Sequence, residues 1–538
     1  MVHFHSHSLQ YRLRPNVCGA RTLLAQVLFA DCRPSSIRYY HKQPSVSVSS
    51  NSNDAPRVTI IRPCKGFEPY LYECLTSTFQ QDYPKDKYQI SFCVSSRHDP
   101  AFHVLERAVR DFPRHDARIC VEEDDPVLTG DGPAGPQLGP NPKIRNMSRA
   151  YREAKSDIVW ILDCNIWVGR GTLGRMVDEL CGLSKTGAQR PFKLVHHIPV
   201  AVDVSNDARA FSDPATASQN EVHDSIRSGR KRSSDMRGGR LDEMFLSTAH
   251  AKMYAAISSV AVAPCINGKS NMFRRSHLDY LTSPSHLNWS PASNSGLVRS
   301  AQPHSTGIDH FSYNICEDHL IGDLLWRSKI PDMPNIRNHG LVFGDLALQP
   351  VADMSWSDYA ARRVRWLRVR KFTVPVATLV EPGTESFLCS AYGAFGLTTS
   401  RHTKDMFGSS WLAFCLLWLL SIAVWAAIDR TLYNVFQSGK TIDPAEDGQE
   451  LPPFARPLTN QSRRPLSQWL PIWFLRESLA LPVWSWAIWG GVTVVWRDRK
   501  FWVGIDMKVH EVRDDDRPDE VNTRRNGDVS RHAKIRRV

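Results

Sequence analysis

Two aspartates stand where an acid could bind a ligand, each after a run that the sequence predicts to be a strand. Asp99 follows the run 88–94, where a carboxylate could accept hydrogen bonds from a ring N–H or a ribose hydroxyl; capping the next helix is the structural alternative. Asp163 follows the apolar run 157–162. Oxygen ligands suit Mg²⁺ or Mn²⁺, which bridge the phosphates of a diphosphate and offset leaving-group charge. Asn165 stands where a second carboxylate would strengthen such a site, so we expect modest metal affinity at Asp163.

A further pair of acids, Glu317 and Asp318, opens a predicted helix over 320–328. Acids in a first helical turn stabilise the helix by complementing its dipole, which is the structural alternative for this pair. As a general base, an acid here would take a proton from an alcohol and contribute on the order of 10²- to 10⁴-fold in rate.

Guanidinium groups and one indole cluster between residues 362 and 371. On a helix, Arg362, Arg365 and Trp366 share one face, because they are spaced i, i+3 and i+4. Guanidinium groups bind diphosphate in bidentate fashion, and an indole provides a flat apolar wall. A basic helix lying on anionic lipid is the alternative, and different faces of one helix could do both.

The elements that must position these side chains alternate between strands and helices. Strands separated by helices imply a parallel sheet with crossover connections, and ligands gather at the carboxyl ends of such strands. The predicted fold class is therefore α/β, a Rossmann-like sheet flanked by helices. The predicted strands are 57–61, 88–94, 118–121 and 157–162, and the predicted helices are 70–80, 101–112 and 172–181.

Composition restricts the class of protein. The chain has 538 residues and a formal net charge of +12, which favours an anionic partner such as a nucleotide, nucleic acid or lipid headgroup. The mean hydropathy of −0.34 excludes a transporter with many spans. The 12 cysteines include no C-x-x-C pair, which argues against a zinc ribbon or a disulfide scaffold and favours a reducing compartment. Because the basic residues lie beside apolar segments and in loops, we expect no nucleic-acid partner.

Two apolar, tryptophan-rich segments in the C-terminal quarter predict membrane spans, over 409–428 and 478–496. The first holds about eighteen uncharged residues, just enough to cross a hydrocarbon core. A shorter stretch, 387–397, is typical of an interfacial segment, and a buried core helix is the alternative for each segment alone. Basic residues crowd the tail, so the positive-inside rule places the tail, and with two spans the N-terminal part, in the cytosol.

These features divide the chain into four predicted regions. The first 54 residues are basic and acid-poor, which is typical of a disordered leader or of a mitochondrial transit peptide. Two insertions rich in polar residues interrupt the second region and are predicted to be disordered. The regions are a leader (1–54), a cytosolic catalytic domain (55–375, with insertions at about 203–240 and 283–305), a membrane region (376–504) and a charged cytosolic tail (505–538).

The order of the chemical groups is more specific than any one of them. Asp, Asp, Glu-Asp and R-x-x-R-W, followed by membrane segments, resembles the inverting glycosyltransferases of family 2 and, more closely, the related family that glucosylates ceramide. The similar stretches include FCVSSRHDPA, IVWILDCNIWV, CINGKSNMFRR, ICEDHLIG and RRVRWLRVRK. The resemblance implies a GT-A-type mixed sheet. It also implies that the family's three aspartates are Asp99, Asp163 and Asp318, and that its terminal motif is Arg362, Arg365 and Trp366.

The function that the resemblance implies is transfer of glucose from UDP-glucose to the primary hydroxyl of ceramide, with inversion, at a Golgi or endoplasmic reticulum membrane. Asp99 would face uridine, and a cation on Asp163 would bridge the diphosphate. Asp318 would deprotonate the hydroxyl, Arg365 would hold the departing diphosphate, and Trp366 would shape the acceptor side.

Several alternatives stay open from the sequence. His196 and His197 end a predicted strand and could line the acceptor site, whereas a packed or surface histidine is the structural alternative. A polysaccharide synthase of the same superfamily is a second enzymatic function. A membrane-anchored scaffold that has lost catalysis is a third, and Asn165 in place of a carboxylate is the reason to keep it.

Overall fold

The computed structural model describes residues 39–129, 138–187, 189–207, 210–211, 238–261, 263–287, 305–331, 333–445, 450–458, 462–496 and 499–512. Most of the two predicted insertions lies outside these ranges, as do residues 1–38 of the predicted leader and 513–538 of the predicted tail.

The strands of the described residues form one large sheet and one small sheet. They are Val58–Pro63 (β1), Tyr88–Val94 (β2), Asp116–Val121 (β3), Ile158–Leu162 (β4), Phe192–Asp203 (β5), Ser270–Arg274 (β6), Arg337–Val351 (β7), Thr493–Trp496 (β8), Arg499–Val503 (β9) and Val509–Glu511 (β10).

The large sheet has the order β3-β2-β1-β4-β6-β5-β7. β1 is parallel to β2 and β4, and β2 is parallel to β3, as the alternation of strands and helices predicts. β6 runs antiparallel to β4 and β5, and β5 is parallel to β7, so the sheet is mixed. The predicted α/β class is confirmed.

Helices flank the sheet and continue into the C-terminal region. They are Leu71–Thr76 (α1), Phe102–Asp111 (α2), Pro126–Thr129 (α3), Pro142–Arg152 (α4), Thr172–Cys181 (α5), Gly238–Phe245 (α6), Ala251–Val260 (α7), Arg275–Thr282 (α8), Pro284–Leu287 (α9), Glu317–Arg327 (α10), Trp356–Thr373 (α11), Pro375–Val380 (α12), Ser386–Thr399 (α13), Lys404–Phe407 (α14), Trp411–Phe436 (α15) and Leu466–Trp489 (α16). A π-helical turn, Leu246–His250, joins α6 to α7.

Apolar layers cover both faces of the large sheet. Ile60 and Trp160 point into the layer beneath α1, α2 and α5, and their neighbours Ile61 and Val159 point into the layer beneath α4, α8 and α10. Alternate residues of a strand face opposite sides, so a strand covered on both faces must be apolar throughout. This is why β4, which ends at the predicted site, is a continuous apolar run.

The predicted helix 70–80 is shorter in the structure, because α1 ends at Thr76. The next two residues turn their hydroxyls back onto the chain. Ser77 Oγ donates to the carbonyl of Cys74 at 2.7 Å, and Thr78 Oγ1 donates to that of Leu75 at 2.5 Å. Such local hydrogen bonds compete with helical ones and end the helix.

Residues 39–54 belong to the catalytic domain and are not part of a disordered leader. The Tyr40 side chain is fully buried, and its ring lies 5.1 Å from that of Phe436. The Ser49 N–H donates to Asp178 Oδ1 at 3.0 Å, and its hydroxyl donates to the carbonyl of Gly174 at 3.0 Å. The predicted boundary at residue 54 is therefore too late.

The helix α15 contains most of the first predicted span, 409–428. Among the described residues it is the one helix long and apolar enough to cross a membrane, with a mean hydropathy of 2.3. Its first turns expose apolar side chains such as Leu412 and Leu420, whereas Leu432 and Phe436 near its end pack against the catalytic domain. The predicted interfacial stretch 387–397 lies within α13, whose Ser390 hydroxyl hydrogen-bonds to that of Ser421 in α15 at 2.9 Å.

The structure does not place the second predicted span, 478–496, in one helix. The helix α16 begins earlier, buries the adjacent charges of Arg476 and Glu477, and ends at Trp489. Gly491 then takes a φ of 110°, and the chain continues as strand β8. Lys371 of α11 donates to the carbonyl of Gly491 at 2.7 Å, which fixes this end of the helix against the catalytic domain.

The strands β8, β9 and β10 form a small antiparallel sheet that packs beside the start of α10. The Val509 N–H donates to the carbonyl of Tyr313 at 2.8 Å, and Asn314 Nδ2 donates to that of Met507 at 2.9 Å. Residues 505–512 are thus part of the folded body, and the predicted tail begins too early.

Candidate functional site

Two of the predicted acids, Asp163 and Asp318, lie around one lysine, Lys143. Its Nζ lies 3.0 Å from Asp163 Oδ1 and 3.4 Å from Glu317 Oε1, and it donates to the carbonyl of Gly268 at 3.2 Å. A methyl group on Gly268 would lie 3.2 Å from both Lys143 Nζ and Asp318 Oδ2, so Asp318 adjoins the same ammonium group. Asp163 and Asp318 therefore face one site.

The local sequence places Lys143 by capping the helix that carries it. The side chain of Asn141 accepts hydrogen bonds from the N–H groups of Lys143 and Ile144 at 2.8 and 3.1 Å, and Pro142 occupies the first helical position. The Asn141 amide donates to Glu317 Oε2 at 3.3 Å, which ties the start of α4 to the start of α10.

A second lysine, Lys269, holds the other oxygen of Asp163. Its Nζ lies 3.0 Å from Asp163 Oδ2 and 3.4 Å from Asn165 Oδ1. β6 pairs antiparallel with β4, with Ser270 opposite Leu162, so the residue before β6 lies at the carboxyl end of β4. Neither lysine was predicted from the sequence to be a site residue. Lys143 stands in the stretch GPNPKIRNM and Lys269 in CINGKSNMFRR, and a lysine within such a turn-rich stretch was the signal that could have pointed to them.

Opposing effects set the charge of Asp163. Burial alone would raise its pKa, but the ammonium groups of Lys143 and Lys269 outweigh burial and hold the pKa well below its ordinary value. Burial alone would lower the pKa of Lys143, but the charges of the three neighbouring acids outweigh burial and hold this pKa above its ordinary value. Both groups are therefore ionised at neutral pH.

Burial shifts the two acids of α10 in the opposite direction. It raises the pKa of Glu317 to about 7, against the opposing charge of Lys143 and with help from the charge of Asp318. Burial also raises the pKa of Asp318, which Lys143 and His319 partly offset. The site thus combines one firmly ionised carboxylate with two that hold protons more tightly than exposed acids do.

Asp99 follows β2 and lies in the turn before α2, whose N-cap residue is Ala101, so its side chain does not cap that helix. Its Oδ1 accepts hydrogen bonds from the N–H groups of Gly66 and Ala101, at 2.8 and 2.9 Å. The strand β1 separates β2 from β4, and adjacent strands lie about 4.8 Å apart, so the carboxyl ends of β2 and β4, which precede Asp99 and Asp163, are separated by about 10 Å.

The R-x-x-R-W residues lie on helix α11, as predicted, but Arg362 has a structural partner. Its Nη1 lies 3.4 Å from Asp242 Oδ2, a fully buried carboxylate, and its guanidinium lies 4.8 Å from the ring centroid of Trp366. Arg365 and Trp366 are half-buried. The half-buried His250, at the end of the π-helical turn, lies with its Nε2 3.5 Å from Asn267 Nδ2 in the loop before β6.

His196 and His197 do not end their strand, which continues to Asp203. Both are buried, and His196 is held between Tyr254 Oη at 2.6 Å and His339 Nδ1 at 3.3 Å. Burial lowers the pKa of His196 well below its ordinary value. The structure therefore favours the packed-histidine alternative for His196 over an acceptor-site role.

The residues around Asp163 do not form a divalent-cation site. Both carboxylate oxygens face ammonium groups at 3.0 Å, and the amide oxygen of Asn165 faces Lys269. Across the ranges that the structure describes, no group of three or more His, Cys, Asp or Glu side chains could hold a metal ion.

Comparison with known proteins identifies a family. The family model described as Glycosyl transferase family 21 matches residues 27–219 and 299–509. The ceramide glucosyltransferase of Pyricularia oryzae is 49% identical over 474 residues, which cover 87% of this chain and 88% of that protein. The ceramide glucosyltransferase of Gibberella zeae is 44% identical over 498 residues, covering 90% and 91%.

One matching solved structure is that of the mannosyltransferase PcManGT from Pyrobaculum calidifontis in complex with GDP-Man and Mn²⁺. It is 16% identical, and the match covers 77% of this chain and 97% of that one with a TM-score of 0.33. The family match and the relatives confirm the predicted glycosyltransferase class. The chain belongs to glycosyl transferase family 21.

Proposed function

We propose that this protein transfers glucose from UDP-glucose to the primary hydroxyl of ceramide and forms β-glucosylceramide. The observation that carries the proposal is the convergence of Asp163 and Asp318 around Lys143 at the carboxyl end of β4. Relatives that are 49% and 44% identical over most of the chain are named ceramide glucosyltransferase, which supports this choice of sugar and acceptor.

The donor would lie across the ends of β2, β1 and β4. Uridine would lie beside Asp99, and the diphosphate would lie beside Asp163, since the separation of about 10 Å between these strand ends suits a nucleoside followed by two phosphates. Asp99 would contact the uridine, and it would also hold in place the backbone N–H groups of Gly66 and Ala101 that donate to it. Arg365 would hold the departing diphosphate.

Asp318 would be the general base of a single displacement. The hydroxyl oxygen of ceramide forms a bond to the anomeric carbon while the bond from that carbon to the β-phosphate oxygen breaks. The hydroxyl proton passes to Asp318, and UDP leaves with the electron pair. One displacement converts the α-linked donor into a β-linked product. The raised pKa of Asp318 strengthens it as a base.

A divalent cation, Mg²⁺ or Mn²⁺, would neutralise diphosphate charge if it were bound at Asp163. The two ammonium groups on this carboxylate leave no prepared protein site for it, so the proposed displacement does not depend on a bound ion.

The acceptor would arrive from the membrane. The first turns of α15 expose leucines, and Val376 and Leu379 on the short helix α12 are more than half exposed as well. Such a surface suits lipid, and Trp366 at the end of the R-x-x-R-W motif would shape the acceptor side. We place the enzyme at a Golgi or endoplasmic reticulum membrane with its catalytic domain in the cytosol.

The test is product analysis with the full chain in ceramide-containing nanodiscs. UDP-glucose, UDP-galactose and UDP-N-acetylglucosamine are supplied in turn. The lipid products are identified by mass spectrometry, and the anomeric proton coupling, measured by NMR, distinguishes an α from a β linkage. The proposal predicts β-glucosylceramide with UDP-glucose. A polymer would instead identify a polysaccharide synthase, and UDP binding without any transfer would identify a scaffold; either result refutes the proposal.

A further inference from the structure

The two lysines at Asp163 differ in how many partners they have. An ammonium group has three N–H donors. Around Lys143 Nζ lie three oxygens, namely Asp163 Oδ1 at 3.0 Å, the carbonyl of Gly268 at 3.2 Å and Glu317 Oε1 at 3.4 Å. Among the residues that the structure describes, Lys269 Nζ has two such oxygens, Asp163 Oδ2 at 3.0 Å and Asn165 Oδ1 at 3.4 Å. Within the described part of the chain, Lys143 therefore has one oxygen for each of its donors, whereas Lys269 keeps one donor for a ligand.

The loop before β6 holds the backbone of Lys269 while its side chain stays accessible. Asn267 Oδ1 accepts the Lys269 N–H at 3.1 Å, and the carbonyl of Lys269 accepts the Asp163 N–H at 3.1 Å. The side chains of Lys269 and Asp163 are 14% and 20% exposed, so solvent reaches the pair. A ligand at this edge of the sheet can therefore contact the ammonium group without moving the backbone.

We propose that Lys269 binds the diphosphate of the donor and supplies there the positive charge that a divalent cation would otherwise bring. A cation at Asp163 would have to displace an ammonium group from one oxygen, whereas a phosphate oxygen can take the remaining donor of Lys269 with the pair intact. This inference rests on the proposed function, because it needs a nucleotide diphosphate at the end of β4.

The test compares UDP with uridine in the presence of EDTA, measured by isothermal titration calorimetry on the full chain in nanodiscs. Lys269→Met should weaken UDP binding by about 10- to 100-fold, since one hydrogen bond between charged groups is lost, and should leave uridine binding unchanged. Lys269→Arg should restore most of the UDP affinity.

Lys155 provides a matched control. It pairs with Asp116 at 3.2 Å, and Asp116 begins β3, so the pair lies at the opposite edge of the sheet from the site. Lys155→Met removes the same ammonium–carboxylate contact and should leave UDP and uridine binding unchanged. The melting temperature of each variant shows whether it is folded.

A second readout is Mn²⁺ binding followed by electron paramagnetic resonance in the presence of UDP. Lys269→Met should bind Mn²⁺ more tightly than the unchanged protein, because the competing ammonium group is gone. Unchanged UDP affinity of folded Lys269→Met in EDTA would overturn the inference and leave the proposed function standing. Failure of the unchanged protein to bind UDP, with or without Mn²⁺, would overturn both.

Discussion

Replacing Lys143 by methionine should destabilise the catalytic domain, and more so at pH 8 than at pH 6. The change leaves Glu317 without an ammonium group and Asp163 with Lys269 alone. Removing one partner of a buried ion pair costs about 3–5 kcal/mol in free energy of unfolding. Because Asp163 keeps one partner, we expect the lower end, about 3 kcal/mol at pH 8.

The pH dependence follows from Glu317, whose pKa burial raises to about 7. When an acid has a higher pKa in the folded protein than in the unfolded chain, the free energy of unfolding falls as the pH rises from the unfolded-state pKa to the folded-state pKa. Without Lys143 that pKa rises further, so the loss continues above pH 7 in the variant and stops there in the unchanged protein. One pH unit corresponds to about 1.4 kcal/mol, so the cost at pH 6 should be smaller by about that amount.

The assay is thermal unfolding of the full chain in detergent, followed by tryptophan fluorescence at both pH values. With about 2 °C per kcal/mol for a domain of this size, Lys143→Met should lower the melting temperature by about 6 °C at pH 8. Lys155→Met, which breaks an exposed pair, should change it by about 1 °C at most. The double variant Lys143→Met, Glu317→Gln should lose the difference between the two pH values. An equal cost at both pH values in Lys143→Met would refute this reasoning.

Three further predictions concern the surroundings of the site. Gly268→Ala puts a methyl group 3.2 Å from Asp318 Oδ2 and Lys143 Nζ, so kcat should fall by about 10- to 100-fold without loss of fold; a rate equal to that of the unchanged protein would contradict the close approach. Glu317→Gln should flatten the fall in melting temperature between pH 5 and 7, because it removes the acid with the raised pKa; an unaltered slope would show that another group titrates. Val509→Asp buries a charge in the small C-terminal sheet, so it should expose residues 499–512 to protease and also reduce activity. A cleaved variant that is fully active would refute the idea that this sheet supports the start of α10 through the contact of Val509 with Tyr313.

The sequence patterns predicted the part of the fold that depends on local periodicity. β2 lies at the predicted residues, and β4 differs by one residue, because strands buried on both faces leave an unmistakable apolar run. The position of Asp163 at the end of β4 followed directly. The gathering of the candidate site residues at one sheet edge followed from the parallel order of β1, β2 and β4.

The rest of the site depends on contacts between residues far apart in the chain. Lys143 and Lys269 reach Asp163 from a helix and from the start of an antiparallel strand, and no periodicity in the sequence pairs β6 with β4. The partner of Arg362, Asp242, follows a stretch predicted to be disordered, so its ion pair could not be anticipated. The packing of His196 against Tyr254 and His339 could not be predicted either, because the sequence of its apolar strand does not show which side chains of other elements it contacts.

The most direct measurement is the glucosyl transfer rate of Asp318→Asn, together with its affinity for UDP. Asp323→Asn is the matched control, because Asp323 lies on the same helix and pairs with Arg327 at 2.8 Å. We expect Asp318→Asn to lose transfer by at least about 10²-fold, the lower range for a lost general base, while its UDP affinity and melting temperature stay unchanged. Transfer by folded Asp318→Asn at the rate of Asp323→Asn would contradict a base at this position and with it the proposed displacement.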